Sequence, residues 1–170
     1  MPKFINSFEN PAYFEQALFL YAKYSKYLDD DYAQNELSIC EYFKRLINKT
    51  YPYFYLIIEN DEVAGLVYLD NFIGDSANLH SAELTTCMNP KYWGDYTKIC
   101  AILFMDYCFN TCGFKKIKAC VYPQNYRVKA LLKFAGFKKE GLLKGETLRN
   151  GQLQDIEVYG CLKKENNYEI

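Results

Sequence analysis

The residue types that most often bind metals or form disulfides are few or scattered in this chain. The 170 residues include seven cysteines, none of them in a Cys-x-x-Cys pair, and one histidine, His80. Cysteines spread through apolar segments are typical of small buried side chains in a reducing compartment, and one histidine gives poor support for a metal site. His80 could titrate near neutral pH, although an ordinary strand or loop histidine is the simpler interpretation.

The most informative stretch of the chain is a turn that leads into a long apolar helix. Residues 89–94, Asn-Pro-Lys-Tyr-Trp-Gly, are rich in residues that interrupt regular structure, and residues 96–112 are mostly apolar. Residues 116–121 alternate with period two, which predicts a strand. Asn125 is placed to cap a further helix, and Gly136 is placed to end it in a left-handed conformation. This stretch therefore predicts turn, helix, strand and helix.

The same periodicities predict the remaining elements. In the first half they indicate a short strand at residues 3–5, a helix from Pro11 after an Asn10 cap, a helix at 35–48, a β-hairpin formed by 53–58 and 63–69, a loop at 71–78, and a strand at Leu79–Met88. In the second half, extended segments at 137–148 and 154–162 flank an Asn-Gly turn, which is a strong hairpin signal. Only the tail from Lys163 looks frayed.

Length, charge and hydropathy limit the classes of protein to consider. A chain of 170 residues that is 50% apolar can bury one substantial core, so we expect one domain spanning residues 1–170. The net charge of −1 argues against broad nucleic-acid binding, and the lysines at 115, 116, 118, 138 and 139 are more simply a solvated face. No apolar run reaches the roughly 18 residues of a membrane span, and the N-terminus lacks a signal-peptide centre. We expect a cytoplasmic protein without nucleic-acid or membrane partners.

The order of the elements, and the residues inside them, resemble the GNAT acetyltransferase superfamily. The likeness extends from Pro2 to Lys163 and is most specific in the string Asn125, Gly136-Phe137-x-x-Glu-Gly, and Gly151-x-x-x-Asp155. Within the superfamily, the chain is similar to the branch of Rim-type ribosomal-protein N-terminal acetyltransferases. The resemblance implies an α+β fold with mixed α/β layers: a central, mostly antiparallel twisted sheet with a splayed parallel strand pair, flanked by about four helices.

The resemblance also implies acetyl-CoA as the cofactor. In such enzymes its pantetheine arm pairs with the open edge of a splayed strand, and its pyrophosphate lies on backbone N–H groups at a helix N-terminus. In this chain the edge would be residues 84–88 and the loop residues 92–97. The cofactor-binding residues are then expected to be Leu84, Thr85, Thr86, Met88, Lys91, Trp93, Gly94, Asp95, Tyr96, Thr97 and Asn125.

One part of the phosphate loop departs from the family pattern. The family loop reads Gln/Arg-x-x-Gly-x-Gly/Ala, and here Lys91 can replace the basic residue while Gly94 matches the first glycine. Tyr96 stands where the second small residue is usual, and Asp95 places a negative charge near a polyanion, which Lys98 could offset. Either the loop takes another path or CoA binding is weakened or lost.

The resemblance further implies acid–base catalysis of acetyl transfer to an amine. Glu83 is the best-placed base and His80 the alternative, although Glu83 could equally be a strand-end carboxylate paired with a lysine. The positions that usually carry a serine or tyrosine acid are Val128 and Leu132 here. Tyr122 or Tyr126 could replace that acid, but aromatic packing is the simpler interpretation of each.

Two functions of different classes follow from these residues. The first is an acetyl-CoA-dependent N-acetyltransferase that acts on a primary amine of a protein N-terminus or a small molecule by direct attack on the thioester. The second is a protein of the same fold whose degenerate CoA loop makes it a non-catalytic binding module. Acidic residues could attract a cationic amine, although solvated loop charges are the simpler interpretation; these are Asp29, Asp30, Asp31, Asp70 and Asp75. We expect a peptide or small-molecule acceptor and a monomer or homodimer.

Overall fold

The fold is a seven-stranded mixed sheet with helices on both faces. The computed structural model describes residues 1–6, 10–29, 31, 38–75 and 77–163. The strands are β1 Lys3–Asn6, β2 Phe54–Glu59, β3 Glu62–Gly74, β4 Leu79–Met88, β5 Lys116–Val121, β6 Lys138–Arg149 and β7 Gln152–Leu162, in the spatial order β1-β2-β3-β4-β5-β7-β6. The helices in this part of the chain are α1 Phe14–Leu28, α2 Ile39–Thr50, α3 Asp95–Asp106 and α4 Tyr126–Phe134.

One neighbouring pair of strands, β4 and β5, is parallel, and every other pair is antiparallel. β4 and β5 pair at only three positions, the last of which is Glu83 with Lys118. β4 continues to Met88 along β3, while β5 continues to Val121 along β7. The two strands therefore separate after Glu83, and among the described residues no ladder joins them beyond it. This confirms the expected fold class and its splayed parallel pair.

The sheet divides the apolar core into two layers. Side chains alternate between the faces of a strand, so neighbouring residues enter different layers. On one face, α1 and α2 pack on β2 and β3, with Phe43 and Tyr21 fully buried against Phe54. On the other face, α3 and α4 pack on the centre of the sheet through residues such as Phe104 and Leu132. A ligand in the gap between β4 and β5 would consequently be reached from two different faces.

Several local signals act as the sequence predicts. The Asn125 side chain accepts a hydrogen bond from the Val128 amide and caps α4, and Gly136 ends that helix with φ of 89°. Asn150 and Gly151 both have positive φ, 49° and 69°, as the tight turn between β6 and β7 requires. The strand predictions for Leu79–Met88 and Lys116–Val121 are confirmed at both ends.

Three boundary predictions need correction, and three further predicted features lie outside the described residues. Asn10 makes no capping bond, because a 3₁₀ turn at Pro11–Tyr13 comes first and the α-helix begins only at Phe14. The predicted loop at 71–78 is strand as far as Gly74, because its backbone still pairs with β4. The long apolar helix ends as α-helix at Asp106 and continues as a π-helical turn, Tyr107–Thr111. The predicted start of α2 at residue 35, Asp30 and the tail beyond Lys163 are outside the described residues.

Candidate functional site

The second half of β4 has one edge paired and one edge open. The Asn89 amide donates to the carbonyl of Ala64 in β3 at 2.8 Å, and successive peptide groups of a strand point to opposite edges. The Leu84 carbonyl and both backbone groups of Thr86 therefore face the gap left by β5, while the Leu84 N–H points to β5 at the last pair of the parallel ladder. The Met88 carbonyl faces the same way and accepts a hydrogen bond from the Trp93 indole at 3.2 Å. An extended chain with amide groups could pair with this edge as an added strand.

An apolar cavity of about 50 Å³ lies beside this edge, between β4, α3 and α4. Its wall includes the side chains of Leu84, Thr86, Met88, Thr97, Phe104 and Val128. Thr85 has the opposite orientation, because its side chain lies on the α1–α2 face with Tyr68. Of the four β4 residues predicted to bind the cofactor, three face the cavity and Thr85 does not.

The loop before α3 has the backbone of an anion site. Gly94 adopts φ 104° and ψ −134°, a region almost closed to other residues, and no heavy atom lies within 4 Å of the position that a Cβ would take. The N–H groups of Asp95, Tyr96 and Thr97 follow in the first turn of α3, where a helix has no internal acceptors for them. The Thr97 hydroxyl donates to the Tyr92 carbonyl at 2.8 Å and holds the loop to the helix. A phosphate could therefore approach these amides closely.

Tyr96 directs its side chain toward the β2–β3 turn. Its hydroxyl donates to the Glu59 carboxylate at 3.1 Å, and its ring packs on Tyr92 with a centroid distance of 5.2 Å. Burial and the thiol of Cys100 raise the pKa of the Tyr96 hydroxyl. Asp95 is exposed and pairs with Lys98 at 2.8 Å, and the hydrogen bond from Lys98 lowers the pKa of the Asp95 carboxyl. The two unusual side chains of the loop thus have partners within the protein.

Two basic residues near this loop are Lys91 and Arg127, and the sequence analysis did not single out Arg127. Lys91 forms an ion pair with Glu62 at 2.7 Å. Arg127, in the first turn of α4, places its guanidinium 3.8 Å from the ring centroid of Trp93. A helix dipole disfavours cations in the first turn, so an arginine two residues after a helix cap was the signal that could have drawn attention to Arg127.

On the opposite face of the sheet, Glu83 lies where β4 and β5 separate. Its register partners are Asp70 in β3 and Lys118 in β5, and its carboxylate accepts a hydrogen bond from the Asn71 side chain at 3.1 Å. Burial, and secondarily the charge of Glu83, raise the pKa of Asp70, although Lys49 lies 4.0 Å away. A pair of carboxylates therefore stands at the end of the parallel ladder.

Cys120 and His80 bear on this acid–base site in different ways. Desolvation and then the neighbouring Glu83 carboxylate raise the pKa of the Cys120 thiol to about 12, which keeps it protonated. His80 is exposed at the other end of the β4–β5 ladder, where its carbonyl accepts a hydrogen bond from the Lys115 amide. Glu83 thus lies at the point where the two strands separate, whereas His80 lies at the opposite end of their ladder.

Tyr122 follows β5 and contacts a cation from the last hairpin. The Arg149 guanidinium lies 4.1 Å from the centroid of the Tyr122 ring and donates to the Asp29 carbonyl at 2.8 Å. Asp31 accepts two hydrogen bonds of 2.9 Å from the amides of the β6–β7 turn, and these bonds lower its pKa. The end of α1 is thus tied to the final hairpin. Tyr126, the alternative to Tyr122, is 75% exposed, and Lys129 lies over its ring.

Comparison with known proteins identifies this architecture. A family model described as an acetyltransferase (GNAT) domain matches residues 15–157. The chain belongs to the GNAT acetyltransferase family. Members of this family use acetyl-CoA, and the open β4 edge and the amides at the start of α3 fit such a cofactor. The described residues of this GNAT domain contain no helix with the length and hydropathy of a membrane span.

The relatives of this GNAT domain include proteins of the genus Bacillus. It is 28% identical to the uncharacterized N-acetyltransferase p20 of Bacillus licheniformis over 65% of its length, and the match spans 61% of p20. It is 28% identical to the probable N-acetyltransferase YjcK of Bacillus subtilis over 93% of its length and 85% of YjcK. Among solved structures, Mycobacterium smegmatis RimJ in complex with CoA-disulfide superposes with a TM-score of 0.73 at 17% identity, covering 98% of this chain and 83% of RimJ. That likeness shows a shared fold.

Proposed function

We propose that this protein transfers the acetyl group of acetyl-CoA to a primary amine, which attacks the thioester directly. The observation that carries the proposal is the course of the open β4 edge. It begins near the amides of Asp95 to Thr97 and ends at Glu83, so one extended ligand could reach from an anion site to a carboxylate. An acyl carrier with a pyrophosphate at one end and a thioester at the other has this shape.

The residues that would hold the cofactor divide into two groups. The backbone groups of Leu84 and Thr86 would pair with the pantetheine arm, with Asn125 contacting it from the start of α4. The loop of Trp93 and Gly94, with the first amides of α3, would bind the pyrophosphate. When bound there, acetyl-CoA supplies an acetyl group already activated as a thioester.

Glu83 would accept the proton that the amine loses during attack, directly or through water. The hydrogen bond from Asn71 fixes one of its carboxylate oxygens, so the side chain is held at the end of the splay. Asp70 adds a second negative charge at the same point, which favours the approach of an ammonium group. A positioned base contributes about 10²–10⁴-fold to a rate.

Tyr122 would keep a proton at its hydroxyl for the departing thiolate. The guanidinium of Arg149 stacks on its ring and, through Asp29, connects that ring to the end of α1. This contact would hold the tyrosine in one orientation.

The acceptor in this proposal is a small molecule or the N-terminus of a peptide. The site would work in a cytoplasmic setting, to which seven cysteines that form no disulfide are suited, and either a monomer or a homodimer could carry it. The hydrogen bonds that tie the end of α1 to the β6–β7 turn would hold these two elements together beside the acceptor.

The test combines calorimetry with an activity assay on the full chain. We expect saturable binding of acetyl-CoA and of CoA, and release of free thiol when an alanine-initiated peptide or a small diamine is added. Glu83→Gln should retain acetyl-CoA affinity and lower kcat about 100-fold. The exposed α1 residue Glu15, changed to Gln, is the matched control. Binding without a difference between these variants would reject Glu83 as the base, and an absence of binding would favour a non-catalytic module.

A further inference from the structure

The phosphates of CoA need a cation near the start of α3, and Lys91 is poorly placed to provide it. Lys91 is the basic residue of the loop, but its ammonium lies 2.7 Å from the Glu62 carboxylate and over the Tyr92 ring. This ion pair raises the pKa of Lys91 and lowers that of Glu62, so each charge is already compensated. Another basic residue must face the anion if the loop is to bind one with a side chain.

The position of Arg127 depends on two contacts that Trp93 makes. The Trp93 indole is fixed by its hydrogen bond to the Met88 carbonyl, and the guanidinium of Arg127 stacks on this ring at 3.8 Å. Trp93 immediately precedes Gly94, whose open Cβ position marks the side of the loop that a ligand can approach. Arg127 therefore contacts the residue that immediately precedes the anion site, while belonging to α4 across the cofactor gap.

The location of Arg127 in its own helix is also unusual. The first turn of α4 carries no acidic residue, and the dipole of the helix disfavours a cation there. A stacked guanidinium keeps its in-plane N–H groups free for bidentate bonds to phosphate oxygens. An anion held between the N-termini of α3 and α4 would remove the unfavourable interaction and use those donors.

We propose that Arg127, held against the Trp93 ring, binds the pyrophosphate of acetyl-CoA. It would replace Lys91, the loop cation that is already paired with Glu62. The inference rests on the proposed function, since it assigns a ligand to the same cofactor site. It makes α4 a second support for the phosphates, in addition to the loop of α3. It also explains why a loop with Asp95 and Tyr96 need not have lost its cofactor.

Calorimetry on the full chain tests the assignment with three ligands: CoA, dephospho-CoA and 4′-phosphopantetheine. Arg127→Gln should lower the affinity for CoA about 10-fold to 100-fold, and Arg127→Lys should recover only part of the loss. Arg45→Gln, at an exposed position of α2, is the matched control and should change affinity less than about twofold. The Arg127→Gln loss should be equal for dephospho-CoA and smaller for 4′-phosphopantetheine, which keeps only one of the two bridging phosphates. It should also be smaller in 0.5 M salt, where charges are screened at about 4 Å.

The outcomes separate this inference from the proposed function. If the wild type binds none of the ligands, the acetyltransferase proposal fails first. If the wild type binds CoA and Arg127→Gln binds it equally well, the function stands and the role of Arg127 is wrong. A loss seen with CoA but not with dephospho-CoA would assign Arg127 to the 3′-phosphate and overturn the pyrophosphate assignment. Unchanged thermal melting of each variant confirms that a lost affinity is not a lost fold.

Discussion

Asn125 allows the capping of a helix to be separated from the binding of a cofactor. Its carbonyl oxygen accepts the Val128 amide at 3.3 Å, which uses one end of the carboxamide. The proposed contact to pantetheine would use the other end, the NH₂ group, as a donor. Serine can replace the first function at an N-cap but has no NH₂ group to replace the second.

The loss of the helix cap should lower the unfolding free energy, and the loss of the ligand contact should lower the affinity for CoA. Different variants remove the two contributions. Asn125→Ala should cost about 1 kcal/mol of unfolding free energy, because one amide of α4 loses its cap, and should lower Tm by about 2–4 °C. Asn125→Ser should stay within a few tenths of a kcal/mol of the wild type. Loss of one neutral hydrogen bond to the ligand costs about 0.5–1.5 kcal/mol, so both variants should bind CoA about 2-fold to 10-fold more weakly.

Thermal melts without ligand and calorimetry with CoA measure the two effects independently. The reasoning requires Ala to differ from Ser in stability while the two agree in affinity. If Asn125→Ser restores wild-type affinity as well as wild-type stability, Asn125 is a cap alone. If Asn125→Ser melts as early as Asn125→Ala, the capping account is the part that fails.

Three further substitutions test the stability side of the structure. Asp70→Asn should stabilise the protein at pH 7, because burial and the charge of Glu83 raise the pKa of Asp70 above its usual 3.8, and the ionised carboxylate is therefore unfavourable in the folded state. In urea titrations this gain in unfolding free energy should vanish below about pH 4, where the carboxyl is protonated in both states. A destabilised variant at pH 7 would contradict this explanation. Phe43→Ala, at a fully buried ring, should cost about 3–5 kcal/mol by chemical denaturation, and a loss below about 1 kcal/mol would show a mobile core. Gly65→Ala should lower the unfolding free energy by about 1–3 kcal/mol and weaken CoA binding in calorimetry, because a Cβ would stand 2.3 Å from the Met88 sulfur in the cavity wall. Unchanged stability and affinity would refute this prediction.

Local signals in the chain were enough to predict most of the elements. A strand with period-two alternation and a helix between Asn125 and Gly136 depend on neighbours in sequence, and the boundaries of β5 and α4 agree with prediction. Residues 71–74, Asn-Phe-Ile-Gly, were missed because they are strand through pairing with β4, a partner that lies outside their own stretch of sequence. The splay of β4 and β5 came from the family resemblance alone, since no residue pattern in either strand encodes where their pairing stops.

The site was predicted less completely than the fold, because several of its contacts join residues that are distant in sequence. Glu83 and Gly94 were predicted from the family resemblance; Glu83 lies at the end of the parallel ladder and Gly94 lies immediately before α3. Arg127 and Trp93 belong to different elements, and only the packing of α4 beside the loop brings them together. The diversion of Lys91 to Glu62 likewise depends on a contact 29 residues apart in sequence. Such partnerships arise after the chain has folded, and no window of sequence contains them.

The open side of β4 gives this protein a strand edge in the middle of a sheet rather than at its border. Free edges invite pairing with other chains, and proteins usually blunt them with charge, proline or short length. Here the neighbouring elements protect the edge, because β5 on one side and α3 on the other leave room for a single extended chain. The peptide groups of Leu84 and Thr86 can therefore form hydrogen bonds with a small ligand but not with a second folded sheet. The neighbouring elements, and not a bound ligand, therefore protect this edge from self-association, and preparations stripped of CoA should aggregate no faster than preparations kept with it.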